Sequence, residues 1–162
     1  MFAAELLTGA EALIRHCRAR GLGIATAESC TGGLVAALLT SIAGSSDVFE
    51  RGFVTYSNQA KQECLGVEAA CVERFGAVSS ETAAAMAAGL LAHTPAKLVL
   101  SVSGIAGPGG GSPEKPVGLV YFGYGMRGAI ATAEKRFGDI GRENVRMAAV
   151  AVALDLLRQA VE

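Results

Sequence analysis

Ser101 to Gly118, SVSGIAGPGGGSPEKPVG, limits the possible folds of this chain more than any other stretch, because it joins two β-type runs through a segment that cannot be helical. Leu98 to Ser103 leads in and Val117 to Phe122 leads out. Between them lie Gly104, Gly107, Gly109, Gly110 and Gly111, with two prolines before Pro116. Each glycine costs about 0.5–1 kcal/mol relative to alanine in regular structure, and in return lets the backbone approach a ligand or turn with positive φ. The segment therefore reads either as a loop that offers its amides to a ligand or as a long connecting turn. It is no P-loop: the GK[ST] ending is missing and no helical pattern follows directly.

Helical and strand patterns alternate around this loop. Residues 5–20 place Leu6, Leu7, Ala10, Leu13, Ile14 and Cys17 at three- and four-residue spacing, and Gly21 and Gly23 stop that helix. A short strand at 22–27 and a helix at 34–42 follow, joined by Glu28-Ser29-Cys30-Thr31-Gly32-Gly33, where Ser29 or Thr31 suits the N-cap. A strand from Phe49 to Tyr56, short helices at 58–65 and 68–75, and a helix from Ser79 to Ala92 come next. Strands at 98–103, 117–125 and about 129–137 precede a last helix from Arg142 to Val161, the final two strands forming a hairpin. The alternation predicts one α/β domain over 1–162, a three-layer α/β/α arrangement whose sheet is mixed because of the C-terminal β-hairpin.

Composition narrows the function classes. With 51% hydrophobic residues in 162 there is ample core material, and a net charge of −1 offers no general attraction for nucleic acid. No apolar run reaches membrane-span length and the first residues lack a signal-peptide pattern, so a cytoplasmic protein is expected. Cys17, Cys30, Cys64 and Cys71 show no CxxC spacing and His16 and His93 are the only histidines, so neither a metal site nor a histidine-based triad is expected.

Two clusters carry candidate chemistry. Ser29-Cys30-Thr31-Gly32-Gly33 sits at a helix start, where free N–H groups suit an anion, although ordinary capping explains Ser29 and Thr31 equally well. Gly44-Ser45-Ser46 has Tyr56 and Lys61 downstream. A serine needs a base, and with histidine nearly absent the available base is lysine, as in Ser-Lys catalysis. Burial, or a neighbouring cation such as Arg51 or Arg142, would lower the Lys61 pKa, and Tyr56 would relay a proton or orient the pair. On spacing alone, Ser46 as a turn residue, Lys61 as a surface residue and Tyr56 as a core aromatic fit as well. Cys30 is the rival nucleophile, since helix N-termini favour thiolates.

Several long stretches closely resemble the CinA C-terminal domain family: AESCTGG at 27–33, IAGSS at 42–46, FERGFVTYSNQAK at 49–61, SGIAGP at 103–108 and EKPVG at 114–118. The resemblance runs through essentially the whole chain. It implies the amide hydrolysis of the family's stand-alone members, nicotinamide mononucleotide plus water giving nicotinic acid mononucleotide and ammonia in pyridine-nucleotide salvage, without a cofactor. The family's catalytic serine then falls on Ser46, its lysine base on Lys61 and its tyrosine on Tyr56. An arginine near the start of the last helix, Arg142 or less directly Arg146, binds substrate. The turn containing Ser29, Thr31, Gly32 and Gly33 and the loop containing Gly104, Ala106 and Gly107 line the nucleotide pocket. The resemblance further suggests a homodimer whose partner is a small nucleotide substrate, with no nucleic acid or membrane. The additional N-terminal domain of many relatives, and its ADP-ribose pyrophosphatase activity, is not expected in this chain. A non-catalytic nucleotide-binding regulatory module is the alternative.

Overall fold

In the computed structural model, which describes residues 1–162, Gly21 closes the first helix in a left-handed conformation with φ 62°. The Gly21 and Leu22 N–H groups bond back to Arg18 and Cys17, so Leu22 belongs to the helix end rather than to the strand predicted from residue 22. In chain order the elements are α1 (Ala4–Arg20), β1 (Ile24–Glu28), α2 (Leu34–Thr40), a 3-10 turn (Ser45–Asp47), β2 (Phe49–Val54), α3 (Asn58–Leu65) and α4 (Ala69–Phe75). Then follow α5 (Ser80–His93), β3 (Leu98–Gly104), β4 (Leu119–Met126), β5 (Ala129–Arg136) and α6 (Arg142–Val161). β2 ends two residues before the expected Tyr56. There the chain leaves the sheet so that the Ser57 hydroxyl can accept the Ala60 N–H at 2.9 Å and cap α3.

The strands form one mixed sheet in the order β2-β1-β3-β4-β5, with β1 parallel to β2 and β3, and with β4 antiparallel to β3 and β5. Helices cover both faces. Ile24, Leu98, Leu100, Val102, Val120 and Phe122 share one core with α1, α2 and α6. Ala25, Ala27 and Val99, on the opposite parity, pack with α5 and the residues around α3 and α4. The three-layer α/β/α fold with its terminal hairpin is therefore observed as expected. No helix is long and apolar enough to cross a membrane, and no three His, Cys, Asp or Glu side chains group as metal ligands.

The parallel register matters most for function. Glu28 pairs with Val54 on one side and Val102 on the other, so the segments that follow β1, β2 and β3 emerge along one edge of the sheet. At that edge Glu28 is 1% exposed, and its carboxylate accepts the N–H groups of Gly33, Val35 and Ala36 at 3.2, 3.0 and 2.9 Å. The free donors of the first turn of α2 are thereby satisfied from within the sheet, not by Ser29 or Thr31 as predicted. Glu28→Ala should destabilise the protein by about 2–3 kcal/mol, in the range for hydrogen bonds to a charged group, with Glu28→Gln intermediate. Urea denaturation midpoints of the three proteins check this.

Candidate active site

A cleft of about 220 Å³ opens at the edge where the parallel strands end, lined by Ser29 and Cys30 after β1, Tyr56 after β2, Lys61 of α3, Ser103 and Gly104 of β3, and Arg142 of α6. Ala77, Val78 and Ala106 supply apolar wall, and the Ser103 hydroxyl fixes part of it by donating to the Ala77 carbonyl at 2.7 Å. Four larger grooves, of about 450, 440, 400 and 440 Å³, share no residue with this cleft, and none joins a serine hydroxyl to a lysine.

Lys61 lies at the base of the cleft and is 1% exposed. Its Nζ donates to the Thr55 carbonyl at 2.8 Å and lies 3.5 Å from the Tyr56 carbonyl and 3.3 Å from Ser29 Oγ. Burial pushes its pKa below the ordinary lysine value, with the nearby Cys30 thiol opposing the shift. None of its hydrogen-bond partners is a carboxylate, so desolvation is not offset by an ion pair. A neutral amine has two N–H groups and one lone pair. Two carbonyls and one hydroxyl around Nζ take the three N–H donors of the ammonium, and after loss of a proton the same three neighbours suit two N–H groups and a lone pair once the Ser29 hydroxyl turns to donate.

Tyr56 meets Lys61 through its backbone, not its ring. Its phenol instead accepts the Arg142 Nη2–H at 3.0 Å, while Arg142 Nη1 donates to the Gly107 carbonyl at 2.8 Å. Arg142 thus bridges the mouth of the cleft from Tyr56 to the glycine loop, and its remaining N–H donors are free. Gly104 and Ala106 line the cleft, Gly107 is not among its lining residues and lends its carbonyl to Arg142, and Gly109, Gly110 and Gly111 are exposed beyond it.

The geometry departs from several of the sequence expectations. Ser46 lies in the 3-10 turn before β2, at the edge where Ile24 pairs with Phe49, while Lys61 follows β2 at the opposite edge. The six residues of β2, at about 3.3 Å each, separate the two by roughly 20 Å, so Ser46 is exposed and remote from the cleft. Arg51 is likewise exposed and pairs with its neighbour Glu50, so it does not act on Lys61. In the Thr31-Gly32-Gly33 turn two of the three N–H groups are already taken: the Gly32 N–H bonds the Ser29 carbonyl at 3.0 Å and the Gly33 N–H is held by Glu28. Arg146 does not line the cleft, because its Nε and Nη2 donate to the Cys30 and Thr31 carbonyls at 3.0 and 3.2 Å. Cys30 lines the cleft, but burial pushes its thiol up to about 11, so it is protonated at neutral pH. Ser29, expected only to cap or to touch the nucleotide, is the hydroxyl that Lys61 meets.

Residues 7–161 match the CinA C-terminal domain family. The chain is 53% identical to the nicotinamide-nucleotide amidohydrolase PncC of Enterobacter agglomerans over 85% of its length and 84% of that protein. It is 49% identical to PncC of Escherichia coli K12, covering 96% of this chain and 94% of that one. The crystal structure of the competence/damage inducible protein CihA from Agrobacterium tumefaciens superposes with a TM-score of 0.98 at 48% identity, over 100% of this chain and 99% of the other. The chain belongs to the CinA C-terminal domain family.

Proposed function

We propose that this protein hydrolyses the carboxamide of nicotinamide mononucleotide in pyridine-nucleotide salvage, with Ser29 as nucleophile and Lys61 as its base. The observation that carries the mechanism is the placement of Lys61 Nζ, desolvated and held by the Thr55 and Tyr56 carbonyls against Ser29 Oγ. The substrate is supported by the relatives that carry the name nicotinamide-nucleotide amidohydrolase.

Neutral Lys61 takes the Ser29 proton as Oγ attacks the carboxamide carbon, forming a tetrahedral oxyanion. The resulting ammonium donates that proton to the departing NH₂ group, so ammonia leaves and an ester to Ser29 remains. Water then attacks the ester as Lys61 takes one of its protons, Ser29 recovers that proton as the carboxylic acid departs, and the acid gives up its own proton to solvent. The volume of about 220 Å³ suits a pyridine ring with its carboxamide better than an entire nucleotide. The ribose phosphate then lies at the mouth, where the free donors of Arg142 meet it.

Ammonia release from nicotinamide mononucleotide, compared with nicotinamide riboside and NAD, tests the activity; no release from the mononucleotide by the folded protein would reject it. Arg142→Ala should weaken binding of the mononucleotide by about 1.5–3 kcal/mol, the range for hydrogen bonds to charged groups, because a guanidinium fork matches two phosphate oxygens. Its effect on nicotinamide riboside, which lacks the phosphate, should be small. Steady-state kinetics on both substrates checks the difference, and equal losses would place Arg142 at the reaction centre instead.

A further inference from the structure

We propose that Arg146 is a positioning residue for amide hydrolysis: through the backbone of the turn after Ser29 it holds the Cys30 N–H as the donor to the oxyanion. The inference rests on Ser29 being the nucleophile. Two consecutive carbonyls, those of Cys30 and Thr31, accept from one guanidinium on α6. The Thr31 carbonyl shares its peptide plane with the Gly32 N–H, so the Arg146 bond to that carbonyl fixes the donor that in turn holds the Ser29 carbonyl.

The peptide between Ser29 and Cys30 is pinned from its carbonyl side, where Ser29 O accepts the Gly32 N–H at 3.0 Å. A trans peptide directs N–H opposite to C=O, so the Cys30 N–H faces away from that bond. This N–H donates to no other residue, and Cys30 lines the cleft immediately after the nucleophile. Gly32 makes the clamp possible. Its φ of 58° is left-handed, and a Cβ there would lie 3.2 Å from Arg146 Nη2.

Arg146 itself stays behind the turn and does not reach the cleft, which distinguishes it from Arg142 one helical turn earlier. The next peptide, between Cys30 and Thr31, is pinned by Arg146 Nε, so both peptide planes flanking Cys30 are fixed before substrate arrives. A donor fixed in advance needs no reorganisation as charge develops on the carboxamide oxygen. Loss of the guanidinium should therefore reduce transition-state stabilisation while leaving ground-state binding intact.

Arg146→Ala should lower kcat about 10²-fold, the smaller loss typical of a missing oxyanion donor, with KM changed less than about threefold and the shape of the pH profile retained. The mononucleotide of 3-formylpyridine, which adds a serine hydroxyl to form a tetrahedral adduct, should lose affinity by a similar factor, whereas the carboxylate product should not. Arg146→Lys, which retains one carbonyl bond, should recover part of both losses; it carries the same measurements if the alanine variant does not fold. A higher KM at unchanged kcat, wild-type kcat, or a kcat loss without weakened aldehyde binding would overturn the proposal. Ser29→Ala in parallel separates the two ideas. Wild-type turnover there removes the nucleophile and the brace together, while an inactive Ser29→Ala beside a fully active Arg146→Ala removes only the brace.

Discussion

Ser29→Ala should abolish ammonia release, with kcat falling about 10⁴-fold or more, while the folded protein still binds the mononucleotide. Removing a nucleophile deletes the covalent route, and losses of this size are typical of such groups. The hydroxyl contributes one hydrogen bond, to Lys61, so its loss leaves the fold intact. Two controls sharpen the result. Ser46→Ala should remain near wild-type, because that residue is exposed at the far edge of the sheet. Cys30→Ser should remain active, because the thiol it replaces is protonated at neutral pH. Near-normal turnover by Ser29→Ala, or a comparable collapse in Cys30→Ser, would move the nucleophile elsewhere.

Replacing Lys61 is the second large effect. Loss of a general base typically costs about 10²–10⁴-fold, and Lys61→Arg should be nearly as damaging as Lys61→Ala because arginine stays protonated. Burial lowers the Lys61 pKa, so the active neutral form accumulates as pH rises. Thus kcat/KM should climb through one ionisation below the ordinary lysine value and level off above it. Stability has the same sign. Between the lowered folded pKa and the ordinary unfolded pKa the unfolded chain binds more protons, so unfolding free energy rises with pH across that window. Lys61→Met should remove this slope, as urea titrations at several pH values would record. Substantial activity in Lys61→Arg would leave only a charge role for this residue.

Much of the architecture is legible in local patterns, because alternating helical and β-type periodicity is recorded residue by residue. The glycine loop, the 117–137 hairpin and the long last helix all fall within a few residues of their observed positions. The nucleophile is different. Ser46 stands nearer to Lys61 in sequence than Ser29 does, yet an extended strand carries the chain across the whole sheet between them. The available signal was topological. β1 and β2 are joined through a helix and run parallel, so whatever follows β1 shares an edge with whatever follows β2. Ser29 follows β1 and Lys61 follows β2, whereas Ser46 precedes β2. Glu28 escaped notice for another reason: a carboxylate closing a strand carries no pattern announcing that its partners are the amides of the next helix.

The helix α6 carries both cations of the site as one unit. Residues 1–140 carry Ser29, Lys61 and Tyr56, while both arginines at the turn and the mouth belong to α6. The same helix inserts Val145, Ala149, Val150, Ala153, Leu154 and Leu157 into the core. Because one rigid element supplies both the core packing and the two arginines, a shift of α6 on the core moves both cations together relative to the nucleophile and base.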